Sequence, residues 1–170
     1  MTRYVALLRA VNVGKTGKLP MADLKAICEQ AGFRRVQTYI ASGNVVFDSD
    51  AAPARLAAEL GARLHAYAGQ PVGVVIRSAA EMQAILLANP FPDAAPSRTV
   101  AIFLDEPPSP DALASAIGLR DEVMQLGKRE IFVHYASGIG RSKLKIPMAS
   151  TGTARNMNTV SKLTAMALTH

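Results

Sequence analysis

Four hydrogen-bond donors, Arg155, Asn158, Thr159 and Lys162, recur near the C-terminal end at a spacing that a helix brings onto one side. No acid interrupts them. Solvated helix faces usually mix both charge signs in i,i+4 pairs, so a donor-only face beside a helix N-terminus suits an oxyanion. Gly140-Arg141-Ser142-Lys143 carries the same chemistry just upstream. A second donor-rich stretch, from Asn12 through Gly14 and Lys15 to Lys18, follows the first apolar run. It is not a triphosphate-binding loop. Arg9 stands where that motif needs its first glycine, and the next helix waits until Pro20.

The inventory of catalytic groups is thin. His65, His134 and His170 lie far apart, and none has metal-ligand spacing to another His or acid. Cys28 falls on an apolar helical stripe, where a cysteine acts as a small buried hydrophobe rather than a nucleophile. As the chain's one cysteine it also excludes an internal disulfide and any multi-thiolate metal centre. Ser42 lacks the flanking glycines of a nucleophile elbow. Neither basic end of the chain holds an acid for paired-carboxylate chemistry. No metal and no cofactor is implied.

Charge is distributed unevenly along the 170 residues. The formal net charge is +6, yet residues 1–22 hold four basic groups and no acid, and residues 141–170 hold five and no acid. The stretch 23–140 is mildly acidic, with ten basic and thirteen acidic residues. If the two ends meet in space, they form one positive patch for a phosphate, a carboxylate or a nucleic-acid backbone. At 49% hydrophobic and 19% charged, the chain can bury a core and is not of disordered composition. No apolar run reaches the roughly 18 to 20 residues that span a bilayer. Arg9 interrupts the N-terminal apolar run too early for a secretory signal, so a cytoplasmic protein with no membrane association is expected.

The elements that would position these donors follow from periodicity. An apolar run over 3–11 predicts a central strand, and Pro20 opens a helix whose buried stripe is Met21, Leu24, Ile27, Cys28 and Ala31. Strands over 36–40 and 44–47 form a hairpin around Ala41-Ser42-Gly43. Pro53 starts a second helix with Leu56, Ala57, Leu60, Leu64 and Tyr67 inward, and a strand follows over 72–77. The order β-α-β-β-α-β predicts a ferredoxin-like unit over 1–77. In that arrangement the first strand ends at the sheet edge where the hairpin turns, which brings Arg9, Asn12, Gly14 and Lys18 beside Ser42, Gly43 and Asn44.

Beyond it, Ser78-Ala79-Ala80-Glu81 is a capping box. A strand over 99–104, a short helix over 110–117, a hairpin turning at Gly127-Lys128 and a last helix from about 156 to 168 complete a smaller α/β domain over 78–170. In the last helix Met157, Val160, Leu163, Thr164 and Ala167 share the side opposite the donors. The fold class is thus α/β in the broad sense (α+β), a ferredoxin-like domain packed on a smaller one.

Several strings taken together resemble one family. They are Tyr4 to Gly14, Pro20-Met21-Ala22-Asp23-Leu24, Tyr39 to Phe47, Asn89-Pro90-Phe91 and Thr153 to Leu163. They are similar to domain-of-unknown-function family 1697, small bacterial α/β proteins, and span nearly the whole chain. The resemblance implies a fold and motif positions but no reaction. Those positions fall on Arg9, Asn12, Gly14, Ser42, Gly43, Asn44, Ser142, Lys143, Arg155, Asn156, Asn158 and Thr159. Two residues depart from the pattern: Ala10 stands where it implies Gly, and Met157 where it implies Trp.

The expectation is a donor-rich site for an anionic ligand, either a phosphorylated small molecule or a nucleic-acid backbone. Arg9, Lys18, Arg155 and Lys162 supply charge, and Asn12, Asn44, Asn158 and Thr159 neutral donors. Two rivals are an enzyme using Ser42 or Lys143 on a phosphorylated substrate and a protein–protein interaction module. RNA reading by a stacking sheet is disfavoured, because aromatic residues are only 5% of the chain.

Overall fold

The computed structural model describes residues 1–9, 19–40 and 43–169. Its contacts divide the chain into two units, Met1–Gln83 with Leu163–His170, and Ala84–Lys162. Each carries a four-stranded antiparallel sheet.

In the first unit, β1 (Thr2–Leu8), α1 (Met21–Gln30), β2 (Arg34–Tyr39), β3 (Asn44–Ser49), α2 (Pro53–Ala68) and β4 (Val74–Ser78) follow in the expected order. The sheet order is β2-β3-β1-β4, and every neighbouring pair is antiparallel. Because side chains alternate along a strand, Tyr4, Ala6 and Leu8 face one side. There they pack with Val45, Phe47 and Ile76 against Leu24 and Cys28 of α1 and Leu56, Leu60 and Leu64 of α2. Phe33 stacks on Phe47 with ring centroids 4.2 Å apart.

The helix punctuation follows from the residues. Pro20 caps α1, its carbonyl accepting from Asp23 and Leu24 N–H. Gly32, at φ +90°, turns the chain out of that helix in the left-handed region that glycine tolerates. Pro53 is the first residue of α2. Tyr67 departs from expectation: it is exposed, and its hydroxyl donates to Asp23 Oδ2 at 2.6 Å. The stripe stays in the core through Leu64 and leaves it only at Tyr67, next to the last residue of α2.

In the second unit, β5 (Thr99–Phe103), β6 (Val123–Leu126), β7 (Glu130–His134) and β8 (Thr153–Asn156) pair in the order β6-β7-β5-β8. The hairpin at Gly127-Lys128 is present. Helix α3 (Ala79–Leu87), which belongs to the first unit up to Gln83, opens on the reciprocal capping box, with Glu81 N–H donating to Ser78 Oγ at 3.1 Å and Ser78 N–H to Glu81 Oε1 at 2.9 Å. Helix α4 (Met157–Leu168), which belongs to the first unit from Leu163 on, ends the chain's regular structure, with Met157, Val160, Leu163, Thr164 and Ala167 buried as expected.

Two features of this unit correct the sequence reading. The expected helix over 110–117 is a series of turns, with Ala112, Ala114 and Ala116 N–H each donating three residues back. Eight residues are too few to sustain a helix alone, and Ile117 instead exchanges both backbone bonds with Lys145. The second correction is β8, whose four residues pair with β5 where a loop was expected. Among the described residues no helix is long and apolar enough to cross a membrane.

Candidate functional site

In the first unit the described residues place the end of β1 beside Gly43 and Asn44. Leu7 is in register with Asn44, and Leu8 N–H donates to Gly43 O at 2.9 Å. Arg9 N–H donates to Gly73 O at 2.9 Å, so exposed Arg9 sits between the β2–β3 hairpin and the start of β4. Gly73 has little room for a side chain, because a Cβ there would lie 3.2 Å from that of Arg9. The hairpin closes through Gly43 at φ +77° and through Asn44, whose Nδ2 donates to Tyr39 O at 2.9 Å. Asn44 is fully buried, so its amide shapes the turn instead of facing solvent. Asn12, Gly14, Lys18 and Ser42 lie outside the described residues.

In the second unit the donor stripe of the sequence reading splits. Arg155 lies on β8, opposite Ala101 of β5, and not on the helix. Strand alternation turns it inward with Thr153, and burial pulls its pKa down to about 10, still charged at neutral pH. Its Nη1 donates to Ala154 O at 2.9 Å. Asn156 caps α4, its Oδ1 accepting Thr159 N–H at 2.9 Å. Thr159 is buried, while Asn158 and Lys162 remain exposed on the helix. Helical phase drawn through residue 155 failed because the backbone changes from strand to helix at Asn156.

Ser142 and Lys143 occupy a different place in that unit. Ser142 Oγ donates to Glu122 Oε2 at 2.5 Å and accepts Leu144 N–H at 3.1 Å. Arg120 N–H donates to the other oxygen of Glu122 at 2.7 Å. These bonds, Ser142's first, hold the Glu122 carboxyl below the usual carboxylate range. Ser142 therefore serves a carboxylate, and Lys143 beside it is exposed. Gly118 fixes this segment: at φ +77° it passes so close to Lys143 that a Cβ would lie 2.2 Å from the Lys143 carbonyl oxygen.

The residues around Ser142 form a polar cleft of about 540 Å3 that includes Arg120, Asp121, Tyr135, Ser137 and Arg141. Arg120 and Tyr135 went unread in the sequence. Arg120 precedes the second hairpin and Tyr135 directly follows it, and no local pattern marks either, since Glu122 meets Ser142 across twenty residues.

Cys28 is buried, and desolvation, with Glu29 adding to it, pushes its thiol up to about 12. A nucleophilic role for it is therefore closed. Among the described residues no group of three His, Cys, Asp or Glu side chains could hold a metal ion.

Two antiparallel sheets with four helices among the described residues define a mixed α/β protein. The chain belongs to the family described as protein of unknown function (DUF1697), whose model matches residues 1–132. It is similar in structure to the conserved bacterial protein SP0830 from Streptococcus pneumoniae, at 30% identity and a TM-score of 0.82, covering 99% of each chain. No curated protein matches the sequence.

Proposed function

We propose that this chain is a cytoplasmic binding protein for an anionic ligand, a phosphorylated small molecule or a nucleic-acid backbone. The first unit is read as ferredoxin-like, on the strength of its element order and the strand order β2-β3-β1-β4. Arg9 is the charge partner at its edge. Gly43 and Asn44 shape the adjoining turn, and Asn12, Gly14, Lys18 and Ser42 belong to the same group by sequence. Asn158, Lys162 and Lys143 are exposed donors of the second unit and are not assigned to the Arg9 group.

One relationship carries the reading. The bonds from Leu8 N–H to Gly43 O and from Arg9 N–H to Gly73 O fix an arginine at the junction of three strands. A chain segment bearing Lys15 and Lys18 and no acid begins there. Fluorescence anisotropy with a labelled single-stranded oligonucleotide, together with a separate calorimetric titration with inorganic pyrophosphate, tests it. Binding to the oligonucleotide that falls steeply with added salt supports the nucleic-acid form. Pyrophosphate binding with no oligonucleotide binding supports the small-molecule form, and binding of neither excludes both.

A further inference from the structure

Two hollows of the second unit meet at Tyr135, which lines both. On one side is the polar cleft, whose acids are already occupied. Glu122 accepts from Ser142 and from Arg120 N–H, and Asp121 accepts from the Ser137 hydroxyl. Arg120 and Arg141 line the same cleft, and among the described residues neither guanidinium donates a hydrogen bond or closes an ion pair. Neutral donors leave both carboxylates charged, and Arg120 is near enough to Glu122 to help hold its pKa down, so Arg141 is the cation of the cleft with no charged partner among the described residues. On the other side is a groove of about 370 Å3, walled mainly by Ile102, Ile117, Leu144, Ile146 and Pro147.

The surroundings are apolar too. Ile117 is 58% exposed, and Leu119, Ile139 and Met148, each beside a lining residue in sequence, are 51%, 44% and 51% exposed. Single exposed hydrophobes are ordinary, but several gathered about a concavity mark a binding surface. Both hollows fall within the range of about 300–1,000 Å3 typical of small-molecule pockets. The segment 142–146 contributes Ser142 to the lining of the cleft and Leu144, Lys145 and Ile146 to that of the groove, so a single segment serves both.

We propose that these hollows form one site for a small organic acid bearing a bulky apolar arm. Its carboxylate is taken by the guanidiniums of Arg120 and Arg141, whose planar forks match two oxygens. Its hydrocarbon crosses Tyr135 into the groove. The site is separate from the Arg9 group and does not depend on it.

Calorimetric titration of the full chain with 4-phenylbutyrate, its uncharged amide and acetate tests this, with backbone-amide NMR to locate binding. Phenylbutyrate is expected to bind saturably, and the amide and acetate each at least about ten-fold more weakly. The double variant Arg120→Gln/Arg141→Gln is expected to lose about ten-fold in phenylbutyrate affinity, and shift changes are expected to centre on 117–146. Absence of saturable binding overturns the proposal, as do shift changes centred elsewhere. Equal affinity for the amide, or undiminished affinity in the double variant, removes the carboxylate contact and overturns it as well. Equal affinity for acetate does the same for the apolar arm.

Discussion

The Ser142 hydroxyl donates to Glu122 Oε2 at 2.5 Å, joining two residues separated by twenty in sequence. A serine read from sequence as an anion donor is thus already occupied by the protein's own carboxylate. In Ser142→Ala that carboxylate loses the first of the bonds that hold its pKa down. The Glu122 carboxyl should titrate at higher pH than in the wild type, measurable by carbonyl-detected NMR. An unmoved titration would mean that the hydroxyl does not stabilise the charge.

Arg155 should behave as a core residue. Its guanidinium and stem are mostly buried on β8, so Arg155→Ala should cost about 1–3 kcal/mol of stability. Arg155→Lys should fall in between, keeping the charge and losing the planar fork. Thermal unfolding measures both. A loss under about 0.5 kcal/mol would match a surface residue instead and contradict the burial.

Asp48 ties three strands by charge. It accepts Arg35 Nε at 2.5 Å and Arg3 Nη1 at 3.1 Å. The strand register shifts between Arg34 and Gln37, and Arg35 sits at φ +47°, which brings its side chain to Asp48. The Arg35 hydrogen bond is the main cause that holds the Asp48 carboxyl below its ordinary value, with Arg3 adding to it. A depressed folded-state pKa stabilises above the unfolded value near 3.9, and that stability is lost as pH falls through the folded value. Asp48→Asn should therefore cost about 1–3 kcal/mol at pH 7, and the difference should shrink below about pH 4. Denaturant unfolding at both pH values checks this, and a difference independent of pH would contradict it.

Much of the first unit could be read from sequence because its signals are local. Pro20, Gly32, Pro53 and the period of Leu56, Leu60 and Leu64 set the helices where the structure has them. The edge shared by Arg9 and Gly43 followed from topology. The second unit gave less. Strand β8 has four residues and no alternating apolar pattern, so only its pairing with β5 defines it. That omission carried the helical phase back through Arg155 and produced a donor face that the backbone does not form. The cleft near Tyr135 depends on contacts such as Glu122 with Ser142 and Ile117 with Lys145, which periodicity does not encode.

The most direct test of anion binding is a backbone-amide NMR titration of the full chain with inorganic pyrophosphate, repeated on Arg9→Ala. The expected result is saturable shift changes at Arg9, Gly43 and Asn44 that weaken by about ten-fold or more in the variant, the loss that follows removal of a charge-assisted contact. No saturable change at those amides, or an unchanged affinity in Arg9→Ala, would contradict the assignment of an anion site to the end of β1.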